Sequence, residues 1–270
     1  MKVLLVNNHG ENGGAAQAAL RLHVALNKHQ HNSYLLVGAT RNKNDNRIFY
    51  PKSRLSRIFA ELNRNFDRLF FKLLCVKPKS IHSTGLYHSY SILRKIKEIN
   101  PDVVHLHWFA RGMLSLSDIE KIRVPVIITL HDSWALTGGC HVKNECERFY
   151  DSCGKCPNLS SRKFKDLSYY LLQHKRLIYK NLKSLKVIAP STWMWSQAVK
   201  SKCFRECDVF KIPNIAETEK YYPSDREKAR KDLSIKTDKK IILFSAMNVA
   251  DFNKGFDKLS KALRVGFNDV

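Results

Sequence analysis

The sequence predicts an α/β fold built on a parallel sheet with helices on both faces. Three observations carry that prediction. Short runs rich in Val, Ile and Leu recur along the chain, and amphipathic stretches with helical spacing lie between them. The runs are also apolar at successive positions rather than alternate ones, as in strands covered on both sides.

Taken in order, "KVLLV" (2–6), "SYLLVG" (33–38), "DVVHLH" (102–107), "PVIITLH" (125–131), "KVIAPS" (186–191) and "VFKIPN" (209–214) are the predicted strands. Residues 14–27 place Ala16, Ala19, Leu20, His23 and Val24 on one helical face, and residues 88–99 and 166–183 show the same periodicity. These elements define an amino-terminal domain over 1–220. Residues 221–238 are polar and form a linker in which Ser224 and Glu227 match a capping box. A further strand at 239–246 and a following helix, within 239–270, are expected to begin a second domain of the same kind, truncated because about 50 residues are needed for a domain.

Hydrophobic residues make up 44% of the 270, enough for a core. The amino-terminal apolar run covers only Val3 to Val6, against the roughly 7–15 residues of a signal peptide. No segment supplies the about 20 apolar residues of a membrane span. These features predict a cytoplasmic chain. Lys and Arg outnumber Asp and Glu by 47 to 24, a formal charge of +23 that calls for an anionic partner: nucleic acid, an acidic membrane surface or a phosphorylated substrate. The charge is spread along the chain without a helix-turn-helix or an aromatic RNP-like strand. No nucleic acid is therefore expected, although a zinc-stapled nucleic-acid-binding module is the alternative from another class.

An insertion at 51–80 carries Leu55, Ile58, Phe59, Leu62, Phe66, Leu69, Phe70, Leu73 and Leu74 at helical spacing, with Arg54, Arg57, Arg64, Arg68 and Lys72 elsewhere. Such a basic amphipathic helix suits either an anionic bilayer surface or packing on its own domain with the basic residues turned to water.

Candidate chemistry gathers at strand ends. Gly13 and Gly14 follow the first strand, where the N–H groups of a helix N-terminus favour an anion such as phosphate. The pattern is not G-x-G-x-x-G, and the second strand does not end in an acidic residue, so a nicotinamide dehydrogenase is disfavoured. His107 and His131 end successive strands, with Trp108 and Asp132 beside them, at the edge where open α/β sheets bind ligands.

The loop at 138–157 holds Cys140, Cys146, Cys153 and Cys156, spaced C-x5-C-x6-C-x2-C. In a reducing compartment a four-thiolate structural zinc site is one reading, and His141 could replace one thiolate. Free or redox-active thiols, disulfides and an iron–sulfur cluster are the others. Cys75, Cys203 and Cys207 are scattered and suit ordinary apolar positions.

The ordered set "NNHGENGGAAQAA", "PDVVHLHW", "VIITLHDSWALTGGCH", "VIAPSTWMW", "IPNI" and "IILFSAMNVADFNKGFDKL" resembles a GT-B glycosyltransferase of family 4. Its "HDxWxxTGGCH…C…CGxCP" segment is similar to a branch acting in capsular and colanic-type polysaccharide synthesis. The resemblance implies two Rossmann-like domains, the first holding the acceptor and the second the nucleotide. It also implies a retaining, hexosyl-type transfer from a nucleotide-diphosphate sugar to a saccharide acceptor, lipid-linked or otherwise membrane-associated, with no catalytic metal. On this reading His131 is the cleft histidine that hydrogen-bonds the transferring sugar, and Gly13 and Gly14 approach the donor phosphates or acceptor. His107 and Asp132 line the same edge. Asn214 matches the asparagine of a "PNG" turn in which Ile215 replaces glycine, and Lys254 neutralises the leaving diphosphate. The arginine that many relatives place near that lysine is missing from "SAMNVADFN", and no downstream E-x7-E pair is present. Alone, the chain is therefore expected to turn over little, or to act as a partner-dependent acceptor-binding module peripheral to the inner membrane face.

Overall fold

The computed structural model describes residues 1–39, 45–51, 54–74, 81–86, 89–159, 161, 163–182 and 184–265. Cys75 and the end of the basic insertion, 75–80, lie outside the described residues. Two compact units are present, Met1–Ala216 and Glu217–Val270.

In the first unit the strands are β1 (Lys2–His9), β2 (Asn32–Ala39), β3 (Ile48–Phe49), β4 (Val103–Leu106), β5 (Val126–Thr129), β6 (Leu185–Ala189) and β7 (Asp208–Lys211). They form one sheet in the order β3-β2-β1-β4-β5-β6-β7. Every pairing is parallel. The six strands expected in this unit are all present, and β3 is an addition. Its two residues are too short to show any periodicity. β1 separates two apolar layers, because successive side chains point to opposite faces. Val3 and Leu5 pack with Ala19, Leu35 and Val37 on one side. Leu4 and Val6 pack with Val104, Leu106 and Ile128 on the other.

The helices are α1 (Gly14–Lys28), α2 (Arg54–Leu74), α3 (Tyr90–Ile99), α4 (Leu116–Glu120), α5 (Leu167–Asn181) and α6 (Thr192–Lys200). Side-chain caps start several of them. The Ser115 hydroxyl accepts from Asp118 N in a capping box, Asp166 accepts from Tyr169 N, and Ser191 accepts from Met194 N. α1 differs: its cap is Gly13, at φ +95°, which offers no side-chain acceptor.

α2 buries an unexpected pair. Asp67 and Phe71, four residues apart, are buried, and Asp67 Oδ1 accepts from Thr84 N at 2.9 Å and Thr84 Oγ1 at 2.8 Å. The apolar residues Ile58, Leu62, Phe66, Leu69, Phe70 and Leu73 are exposed. Among the described side chains of the helix, Asp67 and Phe71 are the buried ones, and the described members of the apolar face chosen by spacing are exposed. Of Arg54, Leu55, Arg57, Phe59, Arg64, Arg68 and Leu74 only the backbone is described. No described helix is long and apolar enough to cross a membrane.

In the second unit α7 (Arg226–Asp232) is capped by Asp225, whose side chain accepts from Lys228 N. The cap thus lies one residue beyond the expected Ser224. Residues 239–246 have no ladder partner and form no strand, in contrast to the sequence expectation, since a strand needs a neighbour for its hydrogen bonds. α8 (Phe256–Val265) follows.

Candidate active site and cysteine-rich loop

The strand order reverses between β1 and β4, and a parallel sheet opens a crevice at the carboxyl ends of its strands at such a point. Backbone and amide bonds hold the two ends together. Asn8 N donates to Trp108 O at 2.7 Å, Trp108 N donates to Asn7 Oδ1 at 2.8 Å, and Asn8 Nδ2 donates to Ala110 O at 2.8 Å. His9 stacks on Trp108 with ring centroids 5.8 Å apart.

His107 and His131 leave the ends of β4 and β5 side by side, and His107 Nδ1 is 2.8 Å from His131 Nε2. Their rings stack at 5.1 Å. His105, two residues before His107, lies on the same face of β4 with its ring tilted against that of His107 at 4.4 Å, while its Nε2 meets Thr129 Oγ1 at 2.7 Å. Sequence reasoning passed over His105, although its i, i+2 spacing from His107 was the available signal. Burial is the main reason that all three rings titrate low. His105 is held down to about 3 and His131 to about 4, and His107 lies well below the ordinary value of 6.5. All three are neutral at pH 7.

A neutral pair fixes the tautomer. His107 Nε2 is buried with no hydrogen-bond partner among the described residues. A buried lone pair without a donor is tolerated better than a buried N–H without an acceptor. The proton of His107 therefore sits on Nδ1 and is donated to His131 Nε2. His131 is left with its proton on Nδ1, which makes no hydrogen bond among the described residues. It is a neutral donor beside the pocket lined by His107, Trp108, Asp132, Trp134 and His141.

Asp132 does different work. Its Oδ2 accepts from Trp108 Nε1 and from His141 Nδ1, both at 2.6 Å, and its Oδ1 accepts from Trp134 N at 2.8 Å. Burial pushes this carboxyl up, but His141 and the donated bonds outweigh it and hold the group below its ordinary value. His141 Nε2 meets Ser83 Oγ at 2.8 Å. Both ring nitrogens of His141 are thus engaged, so it does not stand in for a cysteine as the sequence allowed. It links the crevice to the segment 81–86.

Gly13 and Gly14 carry open space where a Cβ would be, at the uncapped start of α1. Asn214 is exposed beyond the end of β7. Lys254 ends a short 3-10 turn in the second unit and is also exposed. His107, His131 and His141 line one pocket with Trp108 and Asp132; within the same unit, Gly13, Gly14 and Asn214 do not line it.

Behind the pocket, Cys140, Cys146, Cys153 and Cys156 line a second cavity with Lys143 and Arg148. The ring of His82 comes to its Cys140 side, with Nε2 3.3 Å from Cys140 Sγ. An antiparallel bridge between His82 and Cys140, with Ser83 N donating to Gly139 O and His141 N to Ile81 O, brings the segments together. Among the described residues, His82, Cys140 and Cys156 form a group whose ligand atoms all lie within 4.8 Å of one another. The hydrogen bond between the two sulfurs lowers Cys156 to about 4 and raises Cys140 well above the ordinary thiol value. Cys203 is buried and donates towards Ala135 O at 3.7 Å, in keeping with an ordinary apolar position.

The glycosyltransferase family 4 model matches residues 12–220, and the chain belongs to that family. It is similar to the putative colanic acid biosynthesis glycosyl transferase WcaC of Escherichia coli strain K12, with 27% identity over 209 residues. That match covers 71% of this chain and 49% of the relative, so the chain spans about half the length of the curated relative it matches. Among solved structures it is similar to sucrose-phosphate synthase from Thermosynechococcus elongatus at 11% identity and a TM-score of 0.48, covering 88% of this chain and 53% of that one.

Proposed function

We propose that the chain provides the acceptor-side domain of a retaining glycosyltransferase that moves a hexosyl unit from a nucleotide-diphosphate sugar to a lipid-linked saccharide. The product is a bacterial surface polysaccharide such as a capsule. The reading rests above all on the neutral His131, whose Nδ1 proton has no partner among the described residues beside the pocket at the carboxyl ends of β4 and β5. A neutral imidazole N–H can hold a sugar hydroxyl without placing a cation next to a developing oxocarbenium charge. Asp132, tied by three donors, positions the Trp108 ring, the Trp134 backbone and the His141 ring around that opening. Sugar rings pack on such apolar walls.

The remaining roles follow the family pattern. The uncapped N-terminus of α1 at Gly13 and Gly14 is open to a phosphate. Asn214 and Lys254 serve the donor, Lys254 by balancing charge on the leaving diphosphate. The exposed face of α2, with the charge of +23, favours a peripheral place on an anionic cytoplasmic membrane surface, where lipid-linked acceptors reside. The cysteine-rich loop carries a structural zinc ion and takes no part in the chemistry.

The test is transfer of labelled sugar from a panel of nucleotide-diphosphate hexoses to membrane-extracted saccharide lipids, by protein expressed from its complete reading frame. His131→Ala is expected to lower turnover about 100-fold. Equal turnover by the variant would remove His131 from the mechanism.

A further inference from the structure

The cysteines of the 138–157 loop are tied to a distant histidine, and that changes which atoms hold the metal. We propose that one zinc ion is bound by His82, Cys140, Cys153 and Cys156, with Cys146 outside the ligand set. The inference rests on the zinc reading of the loop and goes beyond it in naming a ligand that the spacing of the cysteines could not reveal.

His82 Nε2, Cys140 Sγ and Cys156 Sγ already lie within 4.8 Å of one another, with the first two 3.3 Å apart. Bonds of about 2.3 Å to sulfur and about 2.0 Å to nitrogen, set tetrahedrally, put such atoms roughly 3.5–3.8 Å apart. Only small side-chain adjustments separate the observed trio from three corners of a tetrahedron. The donors are soft thiolate and imidazole, which suit Zn²⁺ and not a hard cation.

The fourth corner is assigned to Cys153 by the backbone. Cys153, Gly154 and Lys155 all have positive φ, at +55°, +87° and +43°, which folds the C-x2-C turn back on itself. Outside bonds clamp the turn. Gly154 N donates to Ser168 Oγ at 3.0 Å and Cys156 N donates to Asp166 Oδ2 at 2.7 Å. Gly138 N donates to Cys153 Sγ at 3.3 Å, the kind of N–H bond that steadies a ligand thiolate and orients its sulfur. Cys146 and Cys153 both line the cavity outside the close group, but Cys146 lies in a separate turn, its N bonded to Lys143 O, whereas Cys153 is joined to Cys156 by the clamped C-x2-C turn. Three thiolates and one neutral imidazole leave a single net negative charge around Zn²⁺, and Lys143 and Arg148 line the same cavity.

The ion would act on the crevice by position. His82 precedes Ser83, which meets His141, which in turn holds Asp132. A bond from zinc to His82 therefore fixes the wall of the sugar pocket from behind.

The experiment is zinc analysis and zinc K-edge X-ray absorption on the chain purified without a metal-binding tag. Expected are about one zinc per chain and a shell of about three sulfurs near 2.3 Å with one nitrogen near 2.0 Å. Cys146→Ser should keep both the zinc and the shell. His82→Ala should lose most of the zinc. His82→Cys, the variant that retains a ligand if His82→Ala fails to fold, should keep zinc with an all-sulfur shell. A four-sulfur shell in the unaltered protein, together with zinc loss in Cys146→Ser, would overturn the assignment of His82 while leaving a metal site. Protein that contains no zinc and takes up none on titration with zinc chloride would overturn the site itself.

Discussion

His107 and His131 face each other across the ends of two neighbouring strands, Nδ1 to Nε2 at 2.8 Å, in a contact that needs at least one neutral ring. Because the far nitrogen of His107 is buried without a partner among the described residues, the pair has one favoured proton arrangement. The donor on His131 then follows from burial and geometry, with no neighbouring charge required.

Buried neutral histidines make stability depend on pH in a set direction. His105 and His131 titrate at about 3 and about 4 in the fold, against 6.5 for the unperturbed group, and His107 is shifted the same way. Between these values the unfolded chain binds more protons, so stability is present above about pH 6.5 and is lost as pH falls towards 4. Each fully engaged group contributes about 1.4 kcal/mol per pH unit. Urea midpoints should fall steadily from pH 7 to pH 5. A flat profile would show that the histidines are charged or solvated in the fold.

Asp132→Asn tests the carboxylate as a collector of donors. Its two oxygens accept from Trp108 Nε1, His141 Nδ1 and Trp134 N, so an amide must turn its NH2 towards at least one donor. The expected cost is about 1–3 kcal/mol, read as a drop in the urea midpoint. An unchanged midpoint would mean that the side chain is free to rotate to water.

Lys175 is fully buried, donates to Trp134 O and Thr137 O, and stands 3.7 Å from the centre of the Trp134 ring. Burial lowers it to about 8, still charged at pH 7. Lys175→Met removes the ammonium donor from Thr137 O and one of the donors to Trp134 O, which keeps Thr137 N and Oγ1, in the segment between Asp132 and the cysteine loop. It should destabilise by about 2 kcal/mol or more in chemical denaturation. A stabilised variant would indicate that the cation is there for charge balance alone.

At Gly154 an added Cβ would lie 1.9 Å from Phe164 O, at a φ that side chains rarely adopt. Gly154→Ala should therefore open the turn between Cys153 and Cys156 and increase the reaction of their thiols with a maleimide probe. Unchanged thiol reactivity would mean that the turn relaxes without cost.

The sequence carried the sheet because buried parallel strands are apolar at successive positions, and six apolar runs became β1, β2 and β4 to β7, the last a largely exposed edge strand. It carried His107, His131 and Asp132 because strand ends are where such sheets bind. His82 was invisible, since its nearness to Cys140 depends on a bridge between segments 58 residues apart. His141 was offered as a replacement for one thiolate, because proximity along the chain said nothing of its bonds to Asp132 and Ser83. The docking face of α2 was missed for a related reason. Spacing identifies apolar positions, but a buried carboxylate at Asp67 follows only from the Thr84 donors it meets.

The most direct test of the account is nitrogen NMR of isotopically labelled histidines, followed while saccharide lipids extracted from bacterial membranes are added in detergent. The account predicts that at pH 7 His131 is neutral with its proton on Nδ1, and that this nitrogen shifts as saccharide binds. A cationic His131, or one whose signal stays fixed while other residues report saccharide binding, would contradict it.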